Sequence, residues 1–208
     1  MFLKGDTKRK KWEYFKDYYL RTVLLCGILI LGGIYFLYTS FFGYRETAVS
    51  VMFVETADLN LEAVKTGLET ALETEGEEIV VERLSEEAAL SQTVLTTRIA
   101  AGDVDILIAD RQIFQEYAEK GAMEDLEEAL TEELYEEVKE RLVSGQIQEV
   151  DAHGEVINTG EERPYGISLQ GMESMKEAEA VMPDPLLGII KGADDLEMEL
   201  ETIRFFIR

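Results

Sequence analysis

The chain has 208 residues, with 43 Asp and Glu against 20 Lys and Arg, which gives a formal net charge of −23 at pH 7. So acidic a chain repels nucleic acid, and no nucleic-acid partner is expected. Its one cysteine, Cys26, excludes an internal disulfide, and its one histidine, His153, argues against a His-based metal site or a Ser-His-Asp triad. No metal or other cofactor is expected.

The N-terminal region predicts a membrane anchor. Residues 22–42, TVLLCGILILGGIYFLYTSFF, carry no charge, and as a helix they would span roughly 30 Å, the hydrocarbon thickness of a bilayer. Residues 1–21 hold seven basic and three acidic residues, whereas 13 basic and 40 acidic residues follow position 42. Because Lys and Arg beside a span stay cytoplasmic, the sequence predicts a cytoplasmic basic tail at 1–21 and one transmembrane helix at 22–42, an uncleaved signal anchor. The protein is then a single-pass cell-membrane protein, with the lipid bilayer as a partner and its C-terminal domain outside.

A short tether at 43–48 is predicted to lead into one domain at 49–208. Its first half alternates strands with amphipathic helices: strand 49–54, helix 61–72, strand 78–84, helix 86–101 and strand 105–109. The first strand, VSVMFV, is apolar on both faces, as in a buried parallel sheet. The alternation predicts an α/β fold, a single three-layer lobe with a mostly parallel sheet.

The second half is less regular. Helices are predicted at 111–120 and 131–143, a hairpin at 146–150 and 155–158 around a turn at 151–154, and short strands at 165–169 and 186–190. A last helix is predicted at 194–207. The stretch 170–185, which contains Met172, Met175 and Met182, has no clear period.

Several stretches resemble a known family. The segment TTRIAAGDVDILIADRQIFQEYAEKGAMEDLEEAL, with VSVMFVET before it and RPYGISLQG and LLGIIKGADDLEMELETIRFFI after it, looks like the first lobe of the extracellular solute-binding proteins of ABC importers. The resemblance implies a periplasmic-binding-protein type II fold. In that family a second lobe follows the YGI-like strand and closes over the ligand, but here only about sixteen residues separate YGISL from LLGII.

The sequence therefore indicates a family member that is reduced to one lobe. The resemblance implies a non-catalytic binding or accessory component that works beside an ABC importer, with the transporter's membrane subunits as partners and no enzyme activity. The alternative is a scaffolding protein whose lobe docks another protein and binds no small ligand. An apolar groove lined by the methionines of 170–185 would favour docking, whereas a polar pocket around Arg111 would favour a ligand.

Open parallel sheets bind ligands beyond the carboxyl ends of their strands, and this rule selects the candidate site residues. They follow the first strand, the third strand and YGISL, and they are Glu55, Thr56, Asp58, Asp110, Arg111, Gln112, Ser168 and Gln170. The guanidinium of Arg111 would suit a carboxylate, and the acids would suit an amine or another cation. Asp58 and Asp110 also precede helices, so ordinary helix capping is the favoured interpretation of both.

Overall fold

The computed structural model of the chain describes residues 25–26, 30–31, 47–54, 56–72, 74, 77–84, 91–151, 156–193 and 196–208. The chain divides into two compact units, residues 1–45 and 46–208. The strands and helices named below all lie in the second unit.

The predicted localisation in the cell membrane is contradicted by the structure. Among the described residues, no helix is both long enough and apolar enough to cross a bilayer. Of the predicted span at 22–42 only four residues, 25–26 and 30–31, are described, and they are helical and exposed. The rest of that span, the basic tail and most of the tether lie outside the described residues.

The first half of the domain follows the predicted order. Strand β1 is Thr47–Val54, helix α1 is Leu61–Ala71, strand β2 is Glu78–Leu84, helix α2 is Ser91–Ala101 and strand β3 is Ile106–Asp110. The prediction that residues 49–54 are buried on both faces is confirmed. β-Branched side chains favour these strands, because they pack well on a pleated sheet.

The second half contains more, and shorter, elements than predicted. Helices α3, α4 and α5 are Arg111–Glu119, Leu126–Ala129 and Glu132–Val138, and a 3₁₀ turn at Lys139–Arg141 leads into strand β4, Leu142–Val150. Strand β5 is Val156–Ser168, helix α6 is Glu173–Glu177, strand β6 is Pro185–Ile189 and helix α7 is Leu196–Phe206.

The six strands form one mixed sheet in the order β2-β1-β3-β6-β5-β4. Strands β2, β1 and β3 pair in parallel, whereas β3–β6, β6–β5 and β5–β4 are antiparallel. The predicted mostly parallel sheet is therefore wrong for half of the molecule. For β4 and β5 the reason is local, because too few residues join them for a parallel crossover and they must run in opposite directions.

Helices cover both faces of the sheet, so the domain has three layers. On one face the side chains of Val51 and Phe53 pack with α1, α4, α5, α6 and α7, whereas Met52 and Val54 on the other face pack with α2 and α3. Each fully buried Leu, Ile, Val, Phe or Met side chain contributes about 1.5–3 kcal/mol to folding, so these two apolar layers hold the α/β domain together.

Two predicted elements are corrected by the pairing of β4 with β5. Residues 142–143 were expected to end a helix, but Leu142 pairs with Ile167 and Val143 with Gly166. Residues 165–169 were expected to form a short separate strand, but 165–168 are the end of the long strand β5. In both places the pairing between strands overrides the local sequence pattern.

Candidate functional site

The carboxyl ends of four strands lie at one end of the sheet, because β5 runs in the same direction as β1, β2 and β3. Val54 pairs with Ala109, and Asp110 and Ser168 lie opposite Pro185 and Leu186 of β6. Since neighbouring strands are about 4.8 Å apart, the predicted residues that follow β1, β3 and β5 lie near one another at this end of the sheet. Glu55 is the exception, because it lies outside the described residues.

Asp110 and Arg111 are joined to the start of β6. The Asp110 carboxylate accepts from Gln112 N at 3.3 Å, which caps α3, and from Asp184 N at 3.3 Å. Arg111 N donates to the carbonyl oxygen of Asp184 at 3.1 Å, and Arg111 Nε donates to Asp184 Oδ2 at 2.5 Å. The guanidinium that was expected to bind a ligand carboxylate thus binds Asp184, and Asp110 acts as a helix cap.

Ser168 and Gln170 take part in a similar internal contact. Both residues present carbonyl oxygens to Arg141 Nη1, at 3.5 Å and 3.2 Å, and Ser168 Oγ accepts from Gln170 N at 3.5 Å. Arg141 belongs to the 3₁₀ turn before β4. It therefore ties the end of β5 to the start of β4, a structural role for these two site residues.

A cleft opens elsewhere at the same end of the sheet, and we call it the loop cleft. It has a volume of about 760 Å³ and is lined by Asp58, Leu59, Asn60, Leu61, Glu62, Met175, Lys176, Glu179, Ala180 and Val181. One wall is the connection from β1 to α1, and the other is α6 with the loop that follows it. Asp58 is the one predicted site residue in its lining.

Backbone hydrogen bonds fix the two walls of the loop cleft to each other. Asn60 N donates to Ala178 O at 2.8 Å, Val181 N donates to Asp58 O at 3.1 Å, and Ala57 N donates to Val181 O at 3.1 Å. The side chain of Asn60 also caps α1 by accepting from Ala63 N at 3.1 Å. These bonds form the floor of the cleft.

Glu179 lies in the loop cleft with an unusual backbone conformation. Its φ is +53°, which makes it the one non-glycine residue with a positive φ among the described residues. Ala180 N donates to Met175 O and Glu179 N donates to Lys176 O, both at 3.0 Å. These two bonds form the Schellman motif that ends α6, at a position where glycine is the low-energy residue.

The charge of the loop cleft is negative. Asp58, Glu62 and Glu179 are exposed carboxylates in its lining. The one ammonium group there, on Lys176, donates to Glu173 at 2.8 Å. The lining therefore presents more negative than positive charge to an incoming group.

Thr56 differs from the other predicted residues because it is buried. Its side chain is 4% exposed, and its hydroxyl has no hydrogen-bond partner in the described part of the chain. Gln112, in contrast, is exposed on the first turn of α3.

Three residues whose pKa is shifted lie on other elements of the domain. Burial raises the pKa of Tyr165, and the negative charge of Asp125 adds to the rise. Hydrogen bonds to Glu161 and to Glu136 raise the pKa of Arg163 and of Lys139, respectively. Within the described ranges, no group of three or more His, Cys, Asp and Glu side chains is arranged to hold a metal ion.

Sequence reasoning missed Asn60, Lys176, Glu179, Arg141 and Asp184. Asn60 could have been found, since Asn directly before a predicted helix is a typical N-cap. Asp184 could not, because a mostly parallel sheet would place the start of β6 at the opposite end of the sheet. Lys176 and Glu179 could not, because 170–185 shows no period and helix α6 has five residues. Arg141 lies in a turn that was predicted as part of a helix.

Comparisons with known proteins add little to this description. No protein-family model and no curated protein matches the chain. A similar solved structure is the crystal structure of the N-glycan transport solute binding protein (NgtS) from Streptococcus pneumoniae, with a TM-score of 0.30 and 18% identity. The match covers 57% of this chain and 24% of that chain. The resemblance to solute-binding proteins stays a prediction from the sequence.

Proposed function

We propose that the domain at 46–208 is a non-catalytic binding module that holds a cationic ligand in the loop cleft. The carrying observation is Glu179, whose backbone occupies the left-handed region that glycine would adopt without strain. A non-glycine residue in this conformation lowers the free energy of unfolding by about 1 kcal/mol, and backbone strain of this kind is concentrated at binding sites. The negative lining and the chain's charge of −23 both favour a cation over an anion.

The ligand would bind weakly and exchange quickly. The loop cleft is open to solvent. Only short stretches of chain connect the strands of the sheet that lie next to the cleft, and one of these stretches carries α6. Exposed ion pairs contribute about 0.2–1 kcal/mol each, so the three carboxylates together give at most about 3 kcal/mol and a polyamine would bind with a Kd of about 5 mM or weaker. So open a site suits an accessory component whose partner covers the ligand. The transporter subunits that the family resemblance implies are one hypothesis for that partner.

Docking of a protein with no small ligand is the second candidate. Val181 supports it, because 57% of this apolar side chain is exposed at the cleft. Met172 and Met175 argue against it, because both are buried in the core, and Met175, which lines the cleft, is only 6% exposed and offers little apolar surface to a partner.

The test is a titration of the ¹⁵N-labelled full-length chain with spermidine, followed by amide chemical shifts. Saturable shifts confined to residues 57–62 and 175–181 are expected, and a neutral diol of similar length should cause none. Shifts spread evenly over the acidic surface, or no saturation, would overturn the proposal. Saturation by an apolar peptide but not by spermidine would favour docking instead.

Two variants separate charge from backbone strain. Glu179→Gln keeps the strained backbone and removes the charge, so spermidine affinity should fall about two- to five-fold with little change in stability. Glu179→Gly removes both, so affinity should fall similarly while the free energy of unfolding rises by about 1 kcal/mol. The exposed Glu177, the last residue of α6, supplies a control: Glu177→Gln also removes one negative charge, and it should change neither quantity.

A further inference from the structure

Strand β4 forms one edge of the sheet and pairs, within the described residues, with β5 alone. Its sequence, LVSGQIQEV, contains no Lys, Arg or Pro, residues that commonly protect an exposed edge from pairing with another strand, and its one charged residue, Glu149, lies next to its end. Its outer side is therefore a row of backbone donors and acceptors open to a further strand.

Bulges are another form of edge protection, and here they lie on the inner strand. Between the pairs Leu142–Ile167 and Val150–Val156 the register advances eight positions along β4 and eleven along β5. All of the extra residues thus belong to β5, and β4 remains regular along its length. A regular edge is the better template for a further strand, because a bulge would interrupt its hydrogen-bond ladder.

An acidic trough, independent of the loop cleft, runs along one face of this edge. Glu119 of α3, Glu162 of β5 and residues 144–146 and 148 of β4 line a cavity of about 290 Å³. Beside it lies a small pit of about 40 Å³ lined by Phe114, Ala118, Val143 and Tyr165 and also by Glu119, Ser144 and Gly145. The trough suits ammonium or guanidinium groups, and the pit suits a small apolar side chain.

We propose that an extended, basic segment of a partner protein binds along β4 as an added strand. Its backbone would hydrogen-bond to β4. Side chains two positions apart share a face, so the basic and the small side chains that lie over the trough and the pit would occupy every second position of the segment. A second copy of the chain is the poorer occupant. Pairing β4 of two copies would bring together two chains that each carry a charge of −23.

The test uses the full-length chain and a fluorescein-labelled peptide, acetyl-KVTVKVTVK-amide, which has the length of β4. Saturable binding by fluorescence anisotropy is expected, together with slower amide hydrogen exchange at residues 142–150. The same peptide with alternate amide nitrogens methylated should lose binding at least ten-fold, since it cannot complete the ladder. An all-Glu analogue in place of Lys should not bind.

Protein variants test the trough directly. The double variant Glu119→Gln and Glu162→Gln should weaken the peptide about 2- to 10-fold, the effect of two exposed ion pairs. A matched control, Glu69→Gln with Glu137→Gln, removes the same charge at exposed positions on α1 and α5 and should leave the affinity unchanged. Raising NaCl from about 50 to about 500 mM should reduce the difference between the two double variants.

Several outcomes would overturn the proposal. They are the absence of saturable binding, equal binding of the N-methylated peptide, protection at the loop cleft in place of β4, and equal effects of the two double variants. Concentration-dependent dimers that protect β4 without any peptide would identify a second copy as the occupant. Because the two experiments report on different residues, a negative result for β4 would not count against the proposed ligand site in the loop cleft.

Discussion

The ring of Phe114 lies against the backbone of two neighbouring strands, where glycines leave room for it. A Cβ built on Gly188 of β6 would lie 2.6 Å from Phe114 Cζ and 2.8 Å from the carbonyl oxygen of Tyr165. A Cβ on Gly166 of β5 would lie 2.8 Å from Phe114 Cε1. The absence of side chains at these positions is therefore what lets α3 pack closely on the sheet.

We predict that Gly188→Ala lowers the free energy of unfolding by about 3 kcal/mol, because the added methyl group meets both a buried ring and a backbone oxygen that cannot move independently. Chemical denaturation of the full-length chain measures the change. Gly160→Ala on β5 is the control, since its Cβ would have only ordinary contacts with Ile147 at 3.4 Å and beyond. A loss below about 0.5 kcal/mol for Gly188→Ala would show that the packing relaxes.

Strand β5 joins the central sheet to the β4 edge, and Tyr165 lies at that junction. Its ring is 3.4 Å from the place where a Cβ on Gly145 of β4 would be, and the side chain is buried. Burial raises the pKa of the Tyr165 phenol in the folded chain. The folded state thus holds this proton more tightly than the unfolded state does.

The sign of the resulting pH effect follows from linkage. The contribution of Tyr165 to stability is complete below the unfolded pKa of about 10 and is lost as the pH rises through the higher folded pKa. We predict that the free energy of unfolding of Tyr165→Phe falls less steeply above pH 10 than that of the unchanged chain. Urea unfolding at a series of pH values measures the two slopes, and parallel curves would contradict the assignment.

The charge of −23 acts on the molecule as a whole. Like charges repel one another more in the compact state than in the expanded one, and dissolved salt screens this repulsion over a Debye length of about 10 Å at 0.1 M. We predict that Tm rises by several degrees between about 20 and 300 mM NaCl. Tetramethylammonium chloride should give the same rise if the effect is general screening, and a rise with Na⁺ only would indicate a specific cation site.

Much of the first half of the domain could be predicted from its residues. The second strand was predicted with its observed bounds, and helix α3 differs from its prediction by one residue at its end. The apolar runs and the helical spacing that define these elements are local properties, so the sequence alone contains them.

The site was less predictable. The strand-end rule selected the end of the sheet at which the proposed loop cleft opens, but Arg111 binds Asp184, which is 73 residues away in the chain, and local sequence gives no sign of that contact. Glu179 was missed because its positive φ arises from the end of a short helix, at a position where Glu is an unfavourable residue. The membrane localisation predicted from residues 22–42 is contradicted, since no described helix can span a bilayer.

By itself the sequence determined the α/β class, the acidic surface and most of the elements up to α3, because composition and hydrophobic periodicity are local properties of the sequence. Only the tertiary structure decided that the sheet is mixed, that β5 continues through residues 158–162 (NTGEE) and that the loop cleft lies between α1 and α6. These features depend on pairings between distant segments, such as Leu142 with Ile167 and Asn60 with Ala178. The free energy of pairing between distant segments outweighs the conformational preference of each segment, so the sequence of a single segment does not reveal these pairings.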